Sequence, residues 1–137
     1  MRQADCTILV IDDDPALADL ATAILNDAGF SALGTTDSDE ALRLIETNKS
    51  IGVLVTDVMM PKITGPEIVR RAQRIRLGDL RVLFMTGGFD GVQLRQTDQI
   101  LKKPWTSEEL ITEVRRTLSD APQRGLWDGP ERRRSAA

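Results

Sequence analysis

Five polar residues of this sequence stand at or just beyond the ends of short apolar runs, where buried strands would end. They are Asp12, Asp13, Asp57, Thr86 and Lys103. A charge at the end of a buried run is costly unless it meets a cation or lies at a rim open to water. The pattern therefore indicates a function for these side chains rather than a purely structural role.

The chemistry that these residue types favour is phosphoryl transfer. Two carboxylates about 5 Å apart repel by roughly 3 kcal/mol at an effective dielectric near 20, and a bound cation is the simplest remedy. Oxygen donors without His or Cys favour Mg²⁺, with Mn²⁺ as a second choice. Asp57 could then attack a phosphoryl group and become an aspartyl phosphate, while the metal, Lys103 and the Thr86 hydroxyl hold the phosphoryl oxygens.

The elements that must position these residues follow from the hydrophobic pattern, in which apolar runs alternate five times with amphipathic stretches. Strands are predicted at 7–11, 30–34, 51–55, 80–85 and 99–101. Helices are predicted to begin at the caps Asp14, Asp37, Thr64 and Thr106, and Asp37 and Thr64 have capping-box spacing to a Glu. The first helix carries an apolar stripe made of Leu17, Leu20, Ala21, Ile24 and Leu25.

Strands alternating with helices predict right-handed crossovers and a parallel sheet covered on both faces. Five such units fit the α/β, doubly wound, flavodoxin-like order 2-1-3-4-5, with a crevice at the carboxyl ends of strands one and three. The five polar residues would meet at that crevice. The connection at 87–98 could hold one or two helical turns.

Composition excludes several classes of protein. The 137 residues suit one domain, and no apolar run reaches the roughly 18 residues of a membrane span. The start of the chain does not resemble a signal peptide, so a cytoplasmic location is expected. A single cysteine, Cys6, and the absence of His exclude zinc sites and Ser/His/Asp or Cys/His catalysis.

The charge distribution argues against nucleic-acid binding. Residues 121–137 carry four Arg against Asp128 and Glu131, which leaves a net charge of −5 for residues 1–120. An acidic body is a poor nucleic-acid surface. The stretch 121–137 has Leu126 and Trp127 as its bulky apolar residues, and we expect it to be mostly disordered.

Four motifs in order, LVIDDDP, LVTDVMMPKITGPE, VLFMTGG and ILKKPW, resemble the response regulator receiver domain of two-component signalling, the CheY-like family. The resemblance covers residues 6–119 and implies a receiver domain at 1–120. It implies a switch that takes a phosphoryl group from a sensor histidine kinase or a histidine phosphotransfer protein onto Asp57. Such a switch catalyses only its own phosphorylation and dephosphorylation and signals to a downstream protein. A monomer or weak homodimer without membrane or nucleic-acid partners is expected.

The resemblance also implies roles for individual residues. Asp12 and Asp13 would form the acidic pair of the metal site, with Asp13, Asp57 and the main-chain carbonyl of Met59 as Mg²⁺ ligands. Thr86 would be the switch hydroxyl.

Lys103 would bind the phosphoryl group, with a cis bond to Pro104. The sequence departs from the family at two places. Ile100 stands where receivers usually carry Tyr or Phe three residues before the lysine. The stretch from Thr86 to Lys103 is several residues shorter than is common in the family, which implies a shortened or absent fourth helix.

Two other functions compete with this interpretation. TILVIDDDPA also resembles the first motif of haloacid-dehalogenase-type phosphohydrolases, with Asp12 as nucleophile and Asp14 as general acid. Pro15 and Ala16 depart from that motif, Asp57 would have no role in it, and Asp14 is suited to capping a helix. The second alternative is an interaction scaffold that keeps the fold without phosphorylation.

Overall fold

The fold was obtained as a computed structural model, which describes residues 6–87, 94 and 98–120. Strands and helices alternate as the sequence pattern predicts. The strands are β1 (Thr7–Ile11), β2 (Ser31–Thr35), β3 (Ile51–Asp57), β4 (Arg81–Thr86) and β5 (Ile100–Lys102). The helices are α1 (Pro15–Asp27), α2 (Ser38–Thr47), α3 (Gly65–Arg76) and α4 (Ser107–Ser119).

All five strands form one parallel sheet in the order β2-β1-β3-β4-β5, which confirms the predicted doubly wound topology. The central strands β1 and β3 are buried along their whole length. Continuous apolar sequence suits such strands because helices cover both faces of a parallel sheet. The carboxyl ends of β1, β3, β4 and β5 consequently lie along one edge.

The two faces of the sheet bury separate apolar cores. Alternate strand residues point to opposite faces, so Val10 and Val55 pack with α1 and α4, whereas Leu9 and Leu54 pack with α2 and α3. The α1 and α4 face contributes Ala21, Leu25, Leu110 and Val114. The α2 and α3 face contributes Ala41, Ile45, Ile68, Val69 and Ala72. Burial on both sides makes the sheet a rigid support for the side chains at its edge.

The predicted helix starts are confirmed, although the capping bonds differ among them. Asp14 accepts a hydrogen bond from the main-chain N–H of Ala16, as expected for a helix cap. Thr106 and Glu109 form the complete reciprocal box at α4. At α3, Thr64 accepts from the N–H of Glu67, whose carboxylate instead pairs with two arginines of the same helix.

One residue of the predicted apolar stripe on α1 is exposed. Leu20 is 50% exposed, while Ala18, Ala21 and Leu25 form the buried face. Each residue of an α-helix turns by about 100°, so Leu20 lies well round the helix from the centre of that face. Ala18 and Ala21 are small, so α1 packs closely against the sheet along the face that carries them. Leu20 lies outside this face.

Two sequence predictions concern residues outside the described ranges. The first is the shortened helix of one or two turns expected at 87–98, between β4 and β5, which falls mostly on residues 88–93 and 95–97. The second is the disordered tail expected at 121–137. Within the described ranges, no helix is both long enough and apolar enough to cross a membrane.

Candidate functional site

The site is built around Asp57, the last residue of the central strand β3. Asp57 pairs in register with Met85 of β4, and the next residue, Val58, donates its main-chain N–H to the Met85 carbonyl at 2.9 Å. Asp57 is 9% exposed, and the hydroxyl of the buried Thr56 donates to its main-chain oxygen at 3.0 Å. The carboxylate is therefore fixed at the rim of a rigid sheet.

Asp12 and Asp13 follow β1, the neighbour of β3. Asp12 is 1% exposed, and its Oδ1 accepts a hydrogen bond from the main-chain N–H of Asp14 at 3.0 Å. Asp13 is exposed. One carboxylate oxygen from each of Asp12, Asp13 and Asp57 falls in a group whose atoms all lie within 4.8 Å of one another. The structure thus brings together the three carboxylates that the sequence analysis singled out.

Lys103 supplies a positive charge to this cluster. Its ammonium nitrogen Nζ lies 2.8 Å from Oδ2 of Asp12 and 3.2 Å from Oδ2 of Asp57. The main-chain N–H of Lys103 donates to the Thr86 carbonyl at 2.7 Å, and the bond to Pro104 is cis as predicted. The adjacent Lys102 is exposed. Of the two neighbouring lysines, Lys103 is therefore the one that faces the acidic cluster.

The other two predicted site residues lie beside the cluster. Thr86 is the last residue of β4, one position beyond Met85, and it is 8% exposed. Met59 follows Asp57 by two residues on the loop to α3, and it is 44% exposed. Its neighbour Met60 packs against the core beneath α2 and α3.

Burial and charge perturb the two central groups of the site. Burial raises the pKa of Asp57 above its ordinary value of 3.8; the Lys103 ammonium lowers it only in part, and Asp12 and Asp13 raise it further. Burial alone would lower the pKa of Lys103, but its contacts with Asp12 and Asp57 outweigh that effect, so this pKa lies above 10.5. Lys103 is therefore a permanent cation at neutral pH.

The raised pKa of Asp57 predicts how the stability of the metal-free protein depends on pH. A carboxyl whose pKa is higher in the folded than in the unfolded protein favours folding at low pH, and this contribution is lost as pH rises from about 3.8 through the folded pKa. Asp57→Asn should therefore raise the melting temperature of chelator-treated protein at pH 7. The advantage should shrink as the pH falls through the folded pKa of Asp57 and should be lost near pH 3.8.

Thermal unfolding of wild type and variant across pH 3–8 measures this difference. The matched control is Asp19→Asn on the exposed surface of α1, which should leave the melting temperature unchanged. A variant Asp57→Asn that is less stable than wild type at pH 7 would show that Lys103 compensates the burial of Asp57 in full.

The charge and the atoms of the cluster suit a divalent cation. Three carboxylates and one ammonium leave a net charge of −2 at the site, and the donors are hard oxygen atoms. Ions of the Mg²⁺ type prefer such donors and keep part of their water shell. The residues present therefore fit a hard divalent metal ion, as the sequence predicts.

Comparison with known proteins agrees with this geometry. Residues 8–115 match the response regulator receiver domain family. The chain belongs to this family. Receiver domains are signalling switches of two-component systems, and they generally bind Mg²⁺ at an acidic pocket. The family membership accounts for both the sheet order and the clustered acidic residues.

Three relatives illustrate the similarity. The DNA-binding dual master transcriptional regulator RpaA of Synechocystis sp. is 31% identical in an alignment of 121 positions that covers 81% of this chain and 48% of that protein. The response regulator SaeR of Staphylococcus aureus is 27% identical over 82% of this chain and 50% of its own length. A receiver domain from Clostridium thermocellum superposes with a TM-score of 0.72, at 29% identity, over 82% of this chain and 94% of that one. The chain spans about half the length of the curated relatives it matches.

Sequence reasoning missed one residue of the site, Gly65. A Cβ atom at this position would lie 2.3 Å from the main-chain oxygen of Asp57. In the sequence, Gly65 lies between the helix cap Thr64 and Pro66, and this pattern is typical of an ordinary helix start. Its requirement for glycine comes from a tertiary contact, which residue order alone does not reveal.

Proposed function

We propose that this receiver domain is a phosphoacceptor that takes a phosphoryl group onto Asp57 in a Mg²⁺-dependent reaction. The observation that carries the proposal is the arrangement of Lys103, whose ammonium contacts both Asp12 and Asp57 beside the exposed Asp13. A nucleophile, a cation and spare carboxylate ligands at one rim are the parts that phosphoryl transfer needs. Membership of the receiver family supports the same function.

The residues proposed to hold the metal are Asp12, Asp13, Asp57 and, through its main-chain carbonyl, Met59. Asp13 is the most accessible of the three carboxylates, while both oxygens of Asp12 already accept a hydrogen bond. When bound, Mg²⁺ (or Mn²⁺) would neutralise the carboxylates and draw charge from the phosphoryl oxygens.

The reaction is a displacement at phosphorus. A carboxylate oxygen of Asp57 forms the new P–O bond while the bond between phosphorus and an imidazole nitrogen of the donor breaks, and that nitrogen keeps the electron pair. The donor is proposed to be a phosphohistidine of a sensor histidine kinase or of a histidine phosphotransfer protein. A chain without His cannot supply that donor itself.

Lys103 and Thr86 are proposed to hold the transferred group. The Lys103 ammonium already lies 3.2 Å from Asp57, so it could turn to an oxygen of the phosphoryl group on that carboxylate without moving the main chain. Thr86 ends the adjacent strand and offers a hydroxyl to a second oxygen. Both residues stand on rigid strand ends, which favours a fixed geometry.

Signalling requires that phosphorylation stabilise one conformation more than another, because equal stabilisation of both transmits nothing. The proposed change involves Thr86 and the connection that follows it. Ile100 begins β5 opposite Phe84 and is 38% exposed. A branched aliphatic side chain there cannot provide the rotating aromatic ring usual in the family, so the response must use other contacts.

The proposed organisation is a receiver domain at 1–120 followed by a disordered stretch at 121–137, acting in the cytoplasm as a monomer or weak homodimer. Its output is binding to a downstream protein rather than to nucleic acid or membrane. In this proposal the only chemistry that the domain catalyses is its own phosphorylation and dephosphorylation.

Turnover of small phosphate esters separates this function from the phosphohydrolase alternative. Asp14 caps α1 through its Oδ1, so it is engaged away from the role of general acid. We expect acetyl phosphate to label the protein once, with release of phosphate only at the slow rate of aspartyl-phosphate hydrolysis. Multiple rapid turnovers of p-nitrophenyl phosphate, lost in Asp14→Asn, would favour the phosphohydrolase.

A further inference from the structure

Helix α3 begins in direct contact with the main chain of the proposed phosphoacceptor. A Cβ atom added at Gly65 would lie 2.3 Å from the main-chain oxygen of Asp57, 3.2 Å from its carbonyl carbon and 3.2 Å from Cα of Val58. Real Cβ atoms essentially never come within 3.0 Å of a heavy atom outside their own residue and its chain neighbours. All three neighbours are main-chain atoms, so no side-chain rotation can relieve the contact.

The strand side of this contact is fixed. Asp57 pairs with Met85, the N–H of Val58 donates to the Met85 carbonyl at 2.9 Å, and the Thr56 hydroxyl donates to the Asp57 carbonyl at 3.0 Å. Val58 is itself fully buried. A side chain at 65 would therefore displace the start of α3 rather than the end of β3.

The loop between β3 and α3 must follow any displacement of α3. The N–H of Gly65 donates to the Val58 carbonyl at 2.8 Å, which closes the loop 58–64 into a compact turn. Met59 lies inside this turn, directly after the closing residue. A displacement of the start of α3 would therefore also shift Met59 relative to Asp57, and both residues are among the four proposed metal ligands.

We propose that Gly65 makes the site selective for Mg²⁺ over Ca²⁺ by holding the Met59 carbonyl close to Asp57. This inference rests on the proposed metal site. Mg²⁺ requires nearly ideal octahedral geometry with short bonds, whereas Ca²⁺ accepts longer bonds and irregular geometry. A ligand that retreats by several tenths of an ångström consequently weakens Mg²⁺ binding far more than Ca²⁺ binding. Gly65 is a positioning residue in this account, since it does not touch the ion.

The test is isothermal calorimetry of the wild type and of Gly65→Ala, titrated separately with Mg²⁺ and Ca²⁺ at a temperature where circular dichroism shows both proteins folded. We expect the Kd for Mg²⁺ to rise about 10-fold or more in the variant, as substitutions that misplace metal ligands commonly cause. The Kd for Ca²⁺ should change by less than about 3-fold. The ratio of the two constants is the quantity that a general loss of stability would not alter.

Gly34→Ala is the matched control. Its added Cβ would lie 2.5 Å from Oγ1 of Thr22 and 3.3 Å from the main-chain oxygen of Ala18, between β2 and α1. This substitution also strains a helix against a strand, but away from the acidic cluster. It should lower the melting temperature without changing the ratio of the Mg²⁺ and Ca²⁺ constants.

An unchanged ratio in Gly65→Ala, or an equal loss for both ions, would overturn the proposal. If Gly65→Ala does not fold, the two wild-type titrations still test the proposal. A wild type that binds Ca²⁺ as tightly as Mg²⁺ would overturn it, because no selectivity would then exist for Gly65 to maintain. Failure of the wild type to bind Mg²⁺ would refute the proposed function itself. The wild-type titration alone shows this outcome, so it can be told apart from a failure of the proposal about Gly65.

Discussion

Replacing Asp57 with asparagine is expected to abolish incorporation of acid-labile phosphate from a small phosphodonor such as acetyl phosphate. The amide has nearly the same shape as the carboxylate but no anionic oxygen to attack phosphorus. Asp57 is held at the rim by main-chain contacts that the substitution leaves in place. Loss of labelling would then report the nucleophile rather than the fold.

The control for this experiment is Asp14→Asn. Asparagine caps helices as well as aspartate does, so α1 should keep its start. We expect labelling of Asp14→Asn at the wild-type level. Labelling retained in Asp57→Asn would refute the nucleophile, and labelling lost in Asp14→Asn would point to the phosphohydrolase mechanism.

Removal of the Lys103 ammonium is expected to separate metal binding from the phosphorylation response. In Lys103→Ala, Asp12 and Asp57 lose a shared cation at 2.8 and 3.2 Å, so a divalent ion should bind at least as well as in the wild type. The transferred oxygens lose a charged partner, which should slow phosphorylation about 100-fold. The conformational response to phosphorylation should be largely lost.

Calorimetry measures the metal affinity, and the fluorescence of Trp105, two residues beyond Lys103, measures the response in a Trp127→Phe background. The adjacent and exposed Lys102 provides the control, since Lys102→Ala should behave as the wild type in both measurements. Collapse of Mg²⁺ binding in Lys103→Ala would mean that the lysine maintains the metal site instead of binding the phosphoryl group.

The sheet and the acidic cluster could be predicted because both depend on residue order. Continuous apolar runs specify buried parallel strands, and strands of one direction place their ends along one edge. Asp12, Asp57 and Lys103 stand at such ends, so the sheet order brings them together. Strand geometry determines which of the two adjacent lysines faces the site. It directs Lys103 to Asp12 and leaves Lys102 exposed.

The features that could not be predicted depend on distances between elements. Gln73 belongs to α3, a helix rich in polar residues, yet its side chain is fully buried. Its amide donates a hydrogen bond to the carbonyl of Leu80 and accepts one from the N–H of the same residue. Nothing in the periodicity of α3 marks this contact, because it depends on how closely the chain turns back towards β4. Gly65 is the same case, since its need for glycine arises from the approach of α3 to β3.

Intact-mass measurement of the wild-type chain with acetyl phosphate, with and without Mg²⁺, followed by mapping of the modified residue, tests the central claim most directly. The account predicts one added phosphoryl group, located on Asp57, that forms with Mg²⁺ and is nearly absent when the metal is chelated. A phosphoryl group on another residue, or equal labelling without metal, would contradict it.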